Sequence, residues 1–356
     1  MGFKRLEADD FVVSAQAQTQ TCWTNNVPAL TQFFTQSNQI NGSSGKYYAT
    51  IFNEAPDGVN SQAQFEIAYA NVNGGGALAY NQVAAPGVSP SSTIYGQYRT
   101  LVLEDEAGVF NFGGYTGETS VGGVFTPADF YVISVERQAY KQSLFPGSLN
   151  LRLKNSNPPY NTLDLTDDSQ MVNIPTYYGT MRAYQVISGS NGVAWNASTS
   201  GNGYTPEATG KGSYGLFLPD IGTILLNQEA LNLASPNGVG IGTDSSENSN
   251  GQNQLKLFAN IKSGSAFGLN AEETITSDYV FIRARNSEFN YSENPSYISG
   301  STGEVIYNYF INNPQTYMTT VGLYNDSNEL LAVAKLSRPL QKDFTKEALI
   351  RVKLDF

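Results

Sequence analysis

Nine residues, Ala348 to Phe356 (ALIRVKLDF), decide how the rest of the sequence is read. Ile350, Val352, Leu354 and Phe356 fall on one side of the period, and Leu349, Arg351, Lys353 and Asp355 on the other. Successive side chains of an extended chain point to opposite faces, so this is a strand with one face in a core and the other toward water or a partner. Upstream, Thr319–Tyr324 and Glu329–Leu336 read as the two arms of a hairpin. Asn325-Asp326-Ser327-Asn328 forms its turn, because Asn and Asp tolerate left-handed backbone. Pro339 separates the hairpin from the final strand.

The same period of two runs through the chain. Phe11–Trp23 alternates small or apolar with polar residues and reads as an extended strand or arm, and Pro28–Phe34 allows one or two helical turns. Lys46–Asn53, Gln64–Ala70, Thr100–Leu103, Phe130–Glu136 and Ser148–Leu153 read as strands, followed by Ala183–Ile187, Gly222–Leu226, Leu255–Ile261, Asp278–Arg285 and Glu304–Ile311. No segment shows helical amphipathicity beyond about ten residues. Ser188–Ser213 and Ser235–Gln254 are Gly-, Asn- and Ser-rich and read as long surface loops. The expectation is an all-β fold of β-sandwich architecture with long polar loops and few short helices. The expected segments are an arm or strand over 1–36, a first sandwich part over 37–154, a loop-rich insertion or second β domain over 155–255, and a second sandwich part over 256–356 that ends in the hairpin and basic strand.

Charged residues make up only 14% of the chain, against roughly 25% in an average globular protein. Such a surface suits faces that are covered in an assembly. The net charge of −11 argues against nucleic-acid binding, which needs a basic footprint. Yet Lys335, Arg338, Lys342, Lys346, Arg351 and Lys353 crowd the last 22 residues against three acids. These six are the expected interface residues, docking on an acidic neighbour. The plainer alternative is a solvated strand whose cations guard a sheet edge.

Catalytic signals are sparse. The chain has no histidine, which excludes His-dependent triads and His-ligated zinc, and Cys22 is its single cysteine, so no intrachain disulfide or cysteine metal site exists. No cofactor is expected. Asp164, Asp167 and Asp168 are the best metal candidate, closely spaced carboxylates that could hold calcium but lack the spacing of an established calcium loop and read first as a solvated turn; Asp244 and Glu247 with their Asn and Ser neighbours make a weaker case. Gly238-Val239-Gly240-Ile241-Gly242-Thr243 has the glycines of a dinucleotide loop but not the flanking strand and helix. Glu104-Asp105-Glu106 and Glu272-Glu273 are adjacent on presumed strands and so point to opposite faces, not across a substrate. The chain is expected not to be an enzyme. Met1–Glu7 is followed by no apolar signal region and no run approaches the length of a membrane span, so synthesis in a cytoplasm and no membrane partner are expected.

Val321–Lys335 (VGLYNDSNELLAVAK), followed by Pro339 and Lys342, resembles an element of tail proteins from contractile-tailed phages. There a Gly-Leu-aromatic arm and an acidic turn lead into a Leu-Ala-Val-Ala strand. Phe3–Glu7 (FKRLE), Ile94–Arg99 (IYGQYR), Asp278–Asn286 (DYVFIRARN) and Ser299–Tyr307 (SGSTGEVIY) resemble virion structural proteins of large myovirus-like phages, the cyanophage group especially. The last stretch is also similar to a baseplate wedge protein that is β-rich and dimeric. In tail fibres the hairpin element precedes a long shaft, whereas here it closes the sequence, which points to a compact adaptor. The resemblance implies a virion component of the baseplate, wedge-type or fibre-adaptor, made in the host cytoplasm. Its partners would be itself, as a homo-oligomer with a dimer favoured, and other tail or baseplate proteins. Two alternatives stand beside it: a glycan-binding or glycan-cleaving tail protein, for which the 22 tyrosines allow a sugar surface, and a neck or capsid decoration protein.

Overall fold

A computed structural model describes residues 8–21, 34–35, 48–55, 58–76, 89–104, 107–108, 110–112, 127–140, 142–155, 158, 160–172, 174–194, 212–244, 253–292 and 294–355. Cys22, most of Pro28–Phe34, and parts of both long polar loops lie outside them. In chain order the strands are β1 (Phe11–Thr21), β2 (Phe34–Thr35), β3 (Tyr48–Phe52), β4 (Ala63–Asn71), β5 (Asp129–Val135), β6 (Ser143–Leu144), β7 (Asn150–Lys154), β8 (Thr162–Asp167), β9 (Thr176–Tyr178), β10 (Met181–Ser190), β11 (Val193–Ala194), β12 (Gly215–Leu218), β13 (Thr223–Asn227), β14 (Ala266–Gly268), β15 (Ala271–Ala284), β16 (Thr316–Tyr324), β17 (Leu330–Lys342) and β18 (Ala348–Asp355). The longer helices are α1 (Pro90–Leu103) and α2 (Asn253–Gly264). The fold is strand-dominated, 45% strand to 17% helix, with large antiparallel sheets of which one curls into a half-barrel. The chain divides into two compact units, residues 20–273 and residues 1–19 with 274–356.

The larger unit is built on a twelve-stranded sheet among the described residues, whose main path runs β14-β7-β8-β10-β12-β13-β5-β4-β3-β2. Its middle strands are buried on both faces, which is why DFYVISV and TILLN read as continuous apolar runs. In β5, Tyr131, Ile133 and Val135 enter one core while Phe130 and Val132 enter another. In β13, Ile224 and Leu226 join the first and Leu225 the second. Helix α2 adds Leu257 and Ile261 to the first core, and α1 adds Tyr95 and Val102 to the second, beside Phe110 and Phe112.

Both helices correct the strand expectation for their residues. Thr100–Leu103 (TLVL) is β-branched and apolar, but it is the last turn of a helix with Pro90 in its first turn, where a missing N–H does no harm. Leu255–Ile261 alternates at positions 255, 257, 259 and 261, yet Leu257 and Ile261 are also one helical turn apart. The helical spacing wins because it buries both on the sheet. Gly264 closes α2 against β7: a Cβ there would lie 1.9 Å from the Arg152 carbonyl oxygen. The strand expected over Glu304–Ile311 is absent too. Val305 makes an isolated bridge to Ile298, and Asn308–Asn312 form a short helix.

The smaller unit is a two-layer β sandwich. One layer has the order β1-β15-β18, with β15 and β18 in register from Ser277↔Asp355 to Ala284↔Ala348. The alternation read from ALIRVKLDF holds: Ile350 and Val352 are buried with Val280 and Ile282, and Leu349, Arg351 and Lys353 are exposed. The other layer is the β16–β17 hairpin, whose Met318, Val321, Leu323, Ala334 and Leu336 pack on that core. In its turn Asn325 Oδ1 accepts the Glu329 N–H and Asn328 takes a left-handed backbone. Asp10, just before β1, accepts a hydrogen bond from Arg285 Nε at 2.8 Å and anchors the N-terminal segment beside the end of β15.

Candidate interaction surface

The outer face of the β16–β17 hairpin carries apolar side chains into solvent. Thr320 pairs with Lys335 and Gly322 with Val333, which places Leu331, Val333 and Lys335 on the side away from the core. Tyr324 lies over Gly322, where a Cβ would come within 2.8 Å of the Tyr324 ring. Leu331 is 68% exposed, and Tyr317, Tyr324 and Val333 are exposed with it. A two-stranded ribbon of this kind is marginal in water on its own. Here one face packs on a thin core, and among the described residues nothing covers the other, which makes it a candidate contact site. Strand β16 has no charged residue and β17 has only basic ones. Lys335 and Arg338 are exposed and have no ion-pair partner among the described residues.

The outer face of the other layer differs. Leu349 is 72% exposed, but the cations near it are engaged. Arg351 stacks over the Tyr279 ring at 5.7 Å, and Lys353 pairs with Asp355 at 2.8 Å, which raises the lysine above its ordinary value. Arg283 pairs with Glu347 at 3.0 Å and Lys346 with Asp343 at 3.1 Å. The Thr345 hydroxyl, with help from the Lys346 pair, holds the Asp343 carboxyl at about 2. Over Phe11–Ala17, the part whose side chains are described, strand β1 is exposed on both faces, with Val12 and Val13 both in solvent.

The six basic residues expected at an interface therefore do not form one patch. Lys335 and Arg338 sit on the hairpin, and Arg351 and Lys353 on the opposite layer. Lys346 is in a local pair. Lys342 is not at the surface at all: it is 0% exposed, with Nζ donating to Asn286 O at 2.9 Å, Asn290 Oδ1 at 3.0 Å and Asp343 O at 3.0 Å. Burial lowers its ammonium below the ordinary lysine value. Counting charges along the sequence cannot show that the end of β17 runs beneath the 286–290 loop.

The aspartates singled out for calcium are held apart. Asp164 is bound by Arg152 at 2.6 Å on an outward face. Asp167 is buried, and its Oδ2 accepts the Gly147 N–H at 2.7 Å and the Ser169 N–H at 3.3 Å. Asp168 Oδ1 accepts the Gln185 N–H at 3.0 Å, and burial pushes its carboxyl up to about 7. Among the described residues no three Asp, Glu or Cys side chains converge as a metal site would require. In the glycine loop, Val239 and Ile241 are packed in the core. The N–H groups of residues 239 and 240 donate to Leu231 O, and that of Gly242 to Asn232 Oδ1, so the amides a phosphate would need are engaged.

Two buried polar clusters escaped the sequence reading. Arg182 in β10 bonds Asp220 and Glu272 at 2.6 Å each and the Ser143 hydroxyl at 3.1 Å. Burial alone would lower the guanidinium, but its two carboxylate partners outweigh that and hold it above its ordinary value. The second cluster lies between β4 and β5. Tyr69 donates to Asp129, whose carboxyl burial pushes up to about 6, and the Tyr131 hydroxyl beside them has no partner among the described residues. Asp129 and Tyr69 are both buried, so this pair bears on stability and reaches no substrate. A charged residue inside an otherwise apolar strand, as in MRAYQVISGS, is the one sequence signal for the first cluster.

No family model, curated protein or solved structure matches the chain. Among the described residues no helix is long and apolar enough to cross a membrane.

Proposed function

We propose that the chain is a structural assembly protein that works by docking through its smaller unit, as a baseplate or fibre-adaptor component of a contractile phage tail. The observation that carries the docking is the outer face of the β16–β17 hairpin, with Leu331, Val333, Tyr317 and Tyr324 in solvent beside Lys335; further along β17 lies Arg338, and both cations are exposed and without an ion-pair partner among the described residues. Large apolar and aromatic side chains with Arg among them are what interface cores are made of. The place in a virion rests on the resemblance of Val321–Lys335 to tail proteins. Cryo-electron microscopy of a virion carrying a tagged copy tests it. Density at the baseplate or fibre attachment in about a dozen copies is the expected result, and density spread over the capsid sinks it.

A second reading, glycan binding, draws on a different feature of the same unit. Tyr297, Tyr307 and Tyr309 form a ring cluster anchored on the buried Phe310, with centroids of Tyr307 and Tyr309 5.3 Å apart. Tyr307 and Tyr309 are exposed and could stack on a sugar. A glycan array with the intact chain and its Tyr309→Ala variant decides this reading.

A further inference from the structure

We propose that Lys342 and Asn290 are the two halves of a self-closing amide cross-link, with Glu288 carrying the protons. The bond joins the end of β17 to the loop that follows β15. It is a modification site of the smaller unit, independent of what covers the outer face of the hairpin.

The geometry holds the reacting groups in contact. Lys342 is 0% exposed and Asn290 7%. Lys342 Nζ lies 3.0 Å from Asn290 Oδ1, so the nucleophile sits beside the carboxamide carbon that it attacks. Asn290 Nδ2 donates to Asn286 O at 2.6 Å, and the two contacts together orient the amide. The turn that presents Asn290 passes through Phe289 in left-handed backbone, at φ 56°, which a bulky residue adopts only where its surroundings impose it. Three carboxylates act on the Lys342 ammonium: Asp343, Glu288 and Glu347. Asp343 is bound to Thr345 and Lys346, and Glu347 to Arg283. Glu288 stands two residues before Asn290 in the same turn, and its Oε2 is buried. Burial disfavours charged forms, so a proton passes more readily from ammonium to carboxylate here than in water.

The reaction balances without a co-reactant. Glu288 takes one proton from the ammonium, which leaves an amine and a carboxylic acid. Nζ forms a bond to Asn290 Cγ, and the carbonyl electron pair moves onto Oδ1. A second Nζ proton passes by way of the carboxyl to Nδ2. The pair returns from Oδ1, and the Cγ–Nδ2 bond breaks. Ammonia departs as ammonium with the proton that Glu288 held, and the third Nζ proton remains as the N–H of the new amide. Holding amine and carboxamide together turns a bimolecular encounter into an intramolecular step. Cys22 is the single cysteine, so the chain has no disulfide with which to make such a closure. The link spans 52 positions and encloses the β16–β17 hairpin. Until it closes, hydrogen bonds alone hold Lys342.

Mass spectrometry of the full chain, folded and held for days near neutral pH, tests the proposal. The expected intact mass is lower than that of the sequence by one ammonia, and digestion should yield a peptide that joins residue 290 to residue 342. Asn290→Ala and Lys342→Arg should each abolish the joined peptide. Glu288→Gln keeps the shape and cannot accept the proton. It should slow closure by about a hundredfold or more, with an unchanged circular dichroism spectrum. An intact mass equal to that of the sequence would overturn the proposal. So would loss of ammonia without the joined peptide, since an Asn-Gly pair elsewhere in the chain can lose ammonia by itself. Closure at the parent rate in folded Glu288→Gln would remove Glu288 from its role.

Discussion

Lys342 Nζ lies 3.0 Å from Asn290 Oδ1 in the interior of the smaller unit, with two backbone carbonyls completing its donors. A buried ammonium with every proton engaged is a fastener between β17 and the 286–290 loop. Lys342→Ala removes the charge and leaves the buried Asn290 Oδ1 without its donor, while Asn286 O keeps Asn290 Nδ2 and Asp343 O keeps the Lys346 N–H, a loss of about 1–3 kcal/mol. Lys335→Ala, on the same strand but in solvent, should change stability by less than about 0.5 kcal/mol. Urea denaturation of the two variants measures the contrast, and equal effects would show that Lys342 is not a buried tie.

Arg182 holds the buried Glu272 carboxylate and the Asp220 carboxylate together. Removing the cation strands a charge in the interior, so Arg182→Gln should destabilise the larger unit by about 3–5 kcal/mol. Glu272→Gln leaves Arg182 paired with Asp220 and should be clearly milder. The order of the two midpoints in guanidinium is the measurement, and a reversed order would refute the assignment.

The pH dependence of stability has a definite sign. Burial raises Asp168 to about 7 and Asp129 to about 6. A carboxyl whose folded value lies above its unfolded value binds more protons in the native state, so its contribution is fully present below about pH 4 and is lost as pH rises through 6 and 7. From these two groups, thermal stability should fall between about pH 4 and 7 and level off above, by about 1.4 kcal/mol in all for each unit of elevation. Asp168→Asn keeps an acceptor for the Gln185 N–H and carries no charge. Differential scanning calorimetry should find this variant more stable than the parent at pH 8, with a flatter slope. An unchanged slope would mean that Asp168 ionises as readily folded as unfolded.

Gly264 closes α2 against β7 with no room for a side chain, since a Cβ would lie 1.9 Å from the Arg152 carbonyl oxygen. Backbone cannot swing aside as a side-chain tip can. Gly264→Ala should lose about 1–3 kcal/mol as helix and strand separate. Gly268→Ala, four residues on and with open space around its Cβ position, serves as the neutral control. Thermal melts of both variants decide it.

These residues also mark where the sequence was legible. Ile350 and Val352 against Arg351 and Lys353 could be read directly, because period two maps one-to-one onto two faces of a strand. The doubly buried strands β5 and β13 showed as apolar runs for the same geometric reason. Helix α2 was hidden because LKLFANI satisfies alternation and helical spacing together, and only the sheet beneath it chooses. Arg182 could not be paired in advance, since its carboxylates are 38 and 90 residues away. The three aspartates of 164–168 misled in the opposite sense: closeness in sequence put them near one another, but the strand and turn direct each to a different partner. The exposed hairpin face was half legible, its alternation visible and its lack of cover not.

The smaller unit draws on residues 8–19 and on 274–355, with the whole larger unit between them. Strand β1 precedes the larger unit in the chain and its partner β15 follows it, and the β15–β18 ladder is complete only when Asp355 reaches Ser277. Contacts so far apart in sequence form slowly, because the chain between them must close before they reward it. The hairpin joins neighbouring segments and can pair first, so the layer that supports it should be the slower to arrive when the unfolded chain is returned to native conditions.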